Sequence, residues 1–425
     1  MIRKILTTAL ISASLISHSS VAQESIDPEA LFEEAMQYRE DGELFNAIEI
    51  FETILSNQPE LNRARLELAV SYHLTRRYEE AREELTRVLN DPDTPESVKL
   101  TITAYLAQLS GDVQAAQQRS RSSIYLSAGL FSDSNINLGP DSQTIAQETL
   151  EANVKENNSH GGQLLLSFSN RSRASEPLAI AGRAVDFEWL TQATVYNKSY
   201  AADAGDSDFN LSVLSLSTGP ALIADRAWRS ALNFKMDKLF FGNDPYALFS
   251  GFNPLFTYSI MPDLELTLEN TTTIKEYEDK SLDDTLKGTA TSWGMDLAKF
   301  YSSLNIGIQA GIKRHDNGAE ADFRHYTGTE IYLGGQMPAW ENARAYLTVS
   351  SRDYKYKGAD PSFPQKPRDE TELLAVLGVN HNFTSGDFKS WTLNAQLTYA
   401  DNDSNLDAFD YDRSLVEVNM RRYFF

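Results

Sequence analysis

Histidine is the commonest protein metal ligand and a frequent general base near neutral pH, so its positions are the first place to look for chemistry in this chain. His160, His315, His325 and His381 are scattered over separate segments, with none of the short intervals that a metal site uses. His73 stands alone within a helical pattern, where a packed or solvated role is the simple reading. Asp401, Asn402, Asp403, Ser404 and Asn405 open like a calcium loop, and Asp412 stands where the closing acid would be. Leu406, however, occupies the place that calls for glycine, and the closing ligand is normally glutamate, so an ordinary acidic surface loop is the expectation. No glycine-rich phosphate loop leads from a strand into a helix. The chain has no cysteine, which excludes thiolate catalysis, disulfides and Cys-ligated metals. No nucleophile is placed with a base. The expectation is a protein that is not an enzyme and that carries no cofactor and no metal.

The elements that position these side chains come in two kinds, and the change falls within Ser122 to Pro140, SSIYLSAGLFSDSNINLGP. Before that stretch apolar residues recur at helical spacing, and after it they alternate every second residue. The 425 residues therefore make two domains in series. A formal net charge of −22 repels nucleic acid and anionic surfaces, so no nucleic-acid partner is expected.

The helical part repeats. Ala35, Tyr38, Ala47 and Phe51 are followed 34 residues later by Ala69, Tyr72, Ala81 and Leu85, which is the period of tetratricopeptide repeats. Gly42 falls at the turn between paired helices and Pro59 where the second helix must end. Ala104, Gly111 and Ala116 suggest a third copy, slipped by one residue, that breaks off before its second helix is complete. Stacked helix pairs of this kind form a groove suited to peptides or partner proteins. Ahead of them, Arg3 and Lys4 precede an apolar run from Ile5 to Ile16, and Ser20-Val21-Ala22 reads as a signal-peptide cleavage site after Ala22.

The alternating part has one apolar and one polar face, as in Leu304, Ile306, Ile308, Ala310 and Ile312 or Trp391, Leu393, Ala395, Leu397 and Tyr399. A soluble sandwich alternates too, so length and connections decide. Many segments run to about ten residues or more, enough for a tilted strand to cross a bilayer. Tight connections, such as Met261-Pro262-Asp263 and Ser385-Gly386-Asp387, take turns with longer polar ones, such as Asp133 to His160 and Gly242 to Ser250. That is the layout of an outer-membrane barrel. Fourteen segments start near Ile124, His160, Leu178, Phe209, Trp228, Gly251, Leu264, Leu286, Leu304, Phe323, Asn342, Glu370, Phe388 and Tyr411. An even count puts both barrel ends, and with them the helices, on the periplasmic side. Glu265, Glu269, Arg344 and Arg352 are expected to face the lumen. The chain ends on Tyr423-Phe424-Phe425, and an aromatic terminus on a last strand is similar to the recognition signal of the Gram-negative barrel-assembly machinery.

The expected fold is thus an N-terminal α-helical tetratricopeptide-repeat solenoid followed by a 14-stranded antiparallel transmembrane β-barrel: signal peptide 1–22, periplasmic repeats 23–121, outer-membrane barrel 122–425. At the joint, the strand Ile124 to Leu130 followed by Asp133-Ser134-Asn135-Ile136-Asn137 and Gly139-Pro140 resembles the surface lipoprotein assembly modifiers. The resemblance extends to Asp403-Ser404-Asn405, Tyr411, Arg413 and the terminal Phe425. It implies a translocator that moves surface lipoproteins or soluble haemophores across the outer membrane. The implied partners are such a client protein, periplasmic chaperones, the barrel-assembly machinery and the lipid bilayer, with the chain itself a monomer. Two other readings stay open: a polysaccharide exporter, which joins periplasmic repeats to a barrel, and a solute porin capped by its helices. Asp133 to Asn137 and Asp403 to Asn405 are read as structural, expected to lie side by side where the first and last strands close the barrel.

Overall fold

A computed structural model of the chain describes residues 27–140, 144–145, 148–149, 156–201 and 206–425. The expected signal peptide and its cleavage site lie outside the described residues. Five helices come first: α1 (Pro28–Glu40), α2 (Leu44–Asn57), α3 (Asn62–Leu74), α4 (Tyr78–Asn90) and α5 (Glu96–Gln117). Asp27 caps α1 by accepting a hydrogen bond from the Glu29 amide, and Pro28, with no amide hydrogen to leave unpaired, takes the first turn. The 34-residue spacing is a packing repeat. Ala35, Ala47, Ala69 and Ala81 are fully buried, so α1 to α4 approach closely, while Phe51 and Leu85 fill equivalent gaps in the two hairpins. Phe32 meets Phe51 edge to face at 5.7 Å, and half-buried Tyr38 packs on the same core. Buried Tyr72 donates to the Glu52 carboxylate, and burial together with that carboxylate raises its pKa.

The third copy is not a helix pair. α5 runs unbroken for 22 residues through Gly111, where an added Cβ would meet nothing within 4 Å. With no further helix to pack there, nothing forces a turn, and α5 carries the chain straight to the barrel.

The barrel strands are β1 (Ser120–Asp133), β2 (Ser159–Arg173), β3 (Arg183–Tyr200), β4 (Leu211–Ala224), β5 (Trp228–Phe241), β6 (Asp244–Met261), β7 (Leu264–Tyr277), β8 (Gly288–Tyr301), β9 (Ile306–Asn317), β10 (Tyr326–Pro338), β11 (Ala343–Tyr356), β12 (Asp369–Asn382), β13 (Trp391–Ser404) and β14 (Tyr411–Phe424). Each pairs antiparallel with the next, and β1 pairs with β14 from Ile124 opposite Phe424 to Asp133 opposite Leu415. The result is a closed 14-stranded barrel with no free edge. Every strand carries large apolar side chains exposed on its outer face, among them Leu130, Leu166, Val195, Leu216, Phe234, Phe252 and Leu268 on β1 to β7. Met295, Ile312, Leu333, Leu347, Leu377, Leu397 and Val418 continue the belt around β8 to β14. At about 25 cal/mol per Å² an unbroken apolar ring would be strongly unfavourable in water; hydrocarbon removes the cost.

The fourteen expected segments are present, with two misplaced connections. Gly242 to Ser250 is not a loop: β5 and β6 join through Gly242 and Asn243 alone, both at positive φ (59° and 74°), a type I′ hairpin turn. β6 therefore starts at Asp244 rather than near Gly251. The third segment starts at Arg183 rather than Leu178, because Leu178–Ile180 folds back on Arg183 to Val185 as a short ladder of its own. The remaining long loops share one end of the barrel with the Gly242 turn, and one of them carries a short helix, α6 (Lys280–Leu286).

The helices sit at the other end and are bonded to it. The Phe45 amide donates to the Gly182 carbonyl at 2.9 Å, and Arg183 reaches the Asp41 carbonyl and, at 3.4 Å, the Glu43 carboxylate. Arg76 donates to the Ala174 carbonyl at 3.2 Å and pairs with Asp186. It stands 34 residues after Gly42 and shares its left-handed backbone (φ 62° against 80°), a conformation that disfavours a side chain. Burial, then the nearby Arg173 charge, lowers the Arg76 pKa. Arg76→Gly should therefore separate docking from folding. Relief of about 1–2 kcal/mol of backbone strain keeps the helices intact, while the lost contacts leave Arg183 and the Phe45 amide as the remaining anchors and loosen the docking. Spin labels at exposed Glu33 and Glu176 should give a broadened distance distribution in the variant; an unchanged narrow one would show that Arg76 docks nothing.

Candidate functional site

Alternation fixes what the lumen contains. Along the strands the polar set mostly points inward, with Arg314, opposite exposed Trp293, an exception on the outer face, and the ladders bring the inward side chains into networks. Near the closing strands, Gln163 bonds Glu417 at 2.8 Å and Asn419 at 2.9 Å, and Gln396 bonds Glu417 at 3.1 Å. Gln396 accepts from Tyr346 at 2.7 Å, Asn394 donates to Tyr346 at 3.0 Å, and Arg421 donates to Asn394 at 2.6 Å. The four charges expected inside are there and partnered. Glu265 takes a bidentate bond from Arg229 at 2.7 and 2.8 Å, and Glu269 pairs with Lys313 at 2.6 Å. Arg344 bonds Asn305, and Arg352 lies between Glu330 and Glu372 at 3.3 and 3.8 Å. Ion pairs and amide bonds carried on the strands line the lumen, with two cavities of about 550 and 820 Å³ in its helix-side half.

The histidines are distributed as their spacing implies. His315 bonds Glu330, His325 bonds Asp316, and His381 accepts from Trp340, while His73 sits between Tyr105 and Asp112 in the helices. Among the described residues no three His, Asp or Glu side chains gather as a metal would need.

Asp133 to Asn137 builds a knot at the long-loop end. Asp133, 1% exposed, takes two bonds from Arg413 at 2.8 and 2.5 Å, with Lys198 at 3.4 Å and the Tyr200 hydroxyl at 3.2 Å. Lys198 also lies over the Phe131 ring at 4.3 Å. Ser134 exchanges bonds with Ser414 across the β1–β14 seam, its amide to the Ser414 carbonyl and its hydroxyl accepting the Ser414 amide. Asn135, fully buried, donates to the Gly139 and Asp412 carbonyls and accepts the Gly139 amide at 2.8 Å, which folds the loop back onto the seam. The Asn137 side chain accepts the Asn157 amide at 3.0 Å and so ties the far side of the same loop.

The second motif is not beside the first, because β14 lies between them. Asp403 stands opposite Thr371 of β12, the Ser404 amide donates to Asp410, and Asn405 brackets Asp369 and the Pro367 carbonyl. The two motifs neither touch nor share an environment: Asp133 and Asn135 are buried, whereas Asp403 and Asn405 are exposed. Asp401 and Asp412 face each other as ladder partners rather than closing a loop around an ion. At the chain's end Tyr423 packs on Tyr125 at 4.7 Å, Phe424 completes the seam opposite Ile124, and Phe425 is fully exposed at the helix-side mouth.

Sequence reasoning missed Lys198 and Tyr200, which look like any strand residues until the ladder brings them to Asp133. It also missed Arg76, for which a readable signal existed: an arginine where the repeat calls for the glycine at 42.

No family model and no curated protein sequence matches the chain. Among solved structures it is similar to a loop-deletion mutant of OmpT, an outer membrane protein of Vibrio cholerae, at 9% identity over 72% of this chain and 100% of that one, TM-score 0.39. The outer membrane protein opdK from Pseudomonas aeruginosa matches at 8% identity over 72% and 99%, TM-score 0.35. An anion-selective porin from Comamonas acidovorans matches at 8% over 72% and 99%, TM-score 0.39. Likenesses this slight carry no argument for function; the chain's own geometry has to carry it.

Proposed function

We propose that this chain is an outer-membrane translocator that assists surface display or secretion of partner proteins, with its helices in the periplasm and its long loops outside the cell. The observation that carries the reading is the docking of a repeat module on the rim of a closed barrel. Arg76, Arg183 and the Phe45 amide fix two stacked helix pairs at one mouth instead of leaving them on a free tether. A module held there presents its surface to whatever approaches that mouth, as receiving a client requires and as a simple pore does not. The apolar belt on all fourteen strands supports the membrane placement, and the Asp133 knot supports a barrel whose seam stays shut during passage.

A solute porin is the second reading. It is favoured by the polar, charge-paired lumen and its two helix-side cavities. One comparison separates the two. Deleting the gene and restoring either the full chain or a chain lacking residues 28–117 should give, for a translocator, loss of at least one protein from the cell surface or medium that only the full chain restores. For a porin, no surface protein changes, and both chains conduct ions alike in planar bilayers. The second pattern would end the translocator reading.

A further inference from the structure

Like charges directly opposite each other destabilise a strand pair, yet β1 and β2 carry them at the helix-side mouth. The ladder puts Arg121 of β1 opposite Arg171 of β2. The Arg173 amide donates to the Arg119 carbonyl at 2.8 Å, which makes Arg119 and Arg173 the next rung toward the helices. Two successive rungs are thus filled by four arginines. On the alternate face Asn170 donates to the Ser120 and Ser122 hydroxyls at 2.7 and 2.9 Å, so the outer wall is no longer apolar at this height and the rungs lie at the rim.

The wall does not neutralise this array. Glu188 stands 3.4 Å from Arg171 and Asp186 3.9 Å from Arg173, loose beside the bidentate 2.7 and 2.8 Å bonds by which Arg229 satisfies Glu265. Asp186 is shared with Arg76, whose pKa is lowered by burial and then by the Arg173 charge. Arg119 and Arg121 have no carboxylate within 4 Å among the described residues. Two carboxylates therefore face five guanidinium groups. The surplus is local: the chain as a whole carries −22, and the helices from Asp27 to Gln117 hold eight basic residues against nineteen acidic ones.

The array is open to a ligand. All four arginines are exposed, and Arg121 and Arg171 line the larger helix-side cavity, about 820 Å³, whose other walls include Gln192, Asn233 and Thr271. Glu269 also borders that cavity, but Lys313 already engages it at 2.6 Å. An anion entering from the helix side meets uncommitted guanidinium groups first.

We propose that the four arginines receive an extended acidic segment of the client polypeptide, with carboxylates on alternate residues, as it passes from the helices into the lumen. Successive rungs on one face lie about 6.8 Å apart, the interval at which an extended chain repeats its side chains on one face, so such a segment brings one carboxylate to each arginine pair. Guanidinium forks bind carboxylates in bidentate fashion and stay charged at any physiological pH. A four-carbon dicarboxylate is too short to serve both rungs. The array lies beside the Arg76 docking contact, where a chain leaving the repeat module enters the barrel. This inference rests on the translocator reading and names what the client must carry.

The test measures binding of the fluorescein-labelled peptide Gly-Ser-Glu-Thr-Glu-Ser-Gly to the full chain in detergent micelles by fluorescence anisotropy. The native chain should bind it and should ignore the same peptide with both glutamates replaced by glutamine. Arg121→Gln should weaken binding about tenfold, the value of one hydrogen bond to a charged group, while the barrel keeps its heat-shifted mobility on gels, since Arg121 has no ion-pair partner to lose. Arg344→Gln, on β11, should bind as the native chain does. Succinate and inorganic phosphate should displace the peptide far less than its unlabelled form does. No binding by the native chain, equal binding of the glutamine peptide, undiminished binding by Arg121→Gln, an equal loss in Arg344→Gln, or equal displacement by succinate or phosphate would each overturn the proposal. Arg119→Gln, on the neighbouring rung, replaces Arg121→Gln if that variant fails to fold. Failure of the translocator reading shows separately, in the gene-deletion comparison, because peptide binding is read without export.

Discussion

Asp133→Ala should destabilise the barrel by about 3–5 kcal/mol, the loss expected when one partner of a buried ion pair is removed and the other charges stay behind. The geometry puts Asp133 at that end of the range. Its carboxylate is 1% exposed and answers Arg413, Lys198 and the Tyr200 hydroxyl together. Without it two cations remain in one enclosed corner with a hydroxyl and no directly bonded carboxylate. The variant also loosens the seam, since Asp133 is the last β1 residue paired with β14 and accepts the Asn135 amide that starts the folded-back loop. Urea titration of the folded barrel in lipid, read by its altered mobility on unheated gels, measures the change. A loss under about 1 kcal/mol, the value of an exposed pair, would show that the knot holds nothing. Asp133→Asn keeps the shape and removes the charge, so it should fall nearly as far; if only the alanine variant is destabilised, packing rather than charge is what matters.

Phe51→Ala should melt the helices and spare the barrel. Removing a fully buried phenylalanine costs about 3–5 kcal/mol, and small domains hold only about 5–15 kcal/mol in all. Phe51 lies at the centre of the helical core, against Phe32 and beside the alanines that set the helix spacing. The bonds joining the two parts are few and lie at the surface of the helical core: Arg76, Arg183 and the Phe45 amide. The expected result is rapid proteolysis between residues 28 and 117, with a barrel that still resists protease and still shifts on heating. Loss of both together would mean that the chain folds as one unit.

What could be read from the sequence was what periodicity encodes. The 34-residue alanines proved to be helix contacts because a methyl-sized side chain at fixed intervals has few other uses, and the alternation gave fourteen strands because each must show lipid one face and water the other. The errors share a cause. Gly242-Asn243 followed by Asp244-Pro245 looked like loop chemistry, yet glycine and asparagine at positive φ are also what a two-residue hairpin needs. Gly111 looked like a turn, yet a glycine turns a helix only when another helix is there to receive the chain. The Asp133 knot was legible as a motif but not as a set of contacts. Its cation partners lie 65 and 280 residues away, and only barrel closure brings them together.

The membrane topology is the most direct test of the whole account, and the absence of native cysteine makes it clean. Single cysteines would be placed at Glu60, in the turn between α2 and α3, and at Ser362, in the loop between β11 and β12, and intact cells treated with a membrane-impermeant maleimide. Labelling is expected at 362 in intact cells, and at 60 only after the outer membrane is permeabilised. Labelling at 60 in intact cells, with 362 protected, would place the helices outside and contradict a module that receives its client from within.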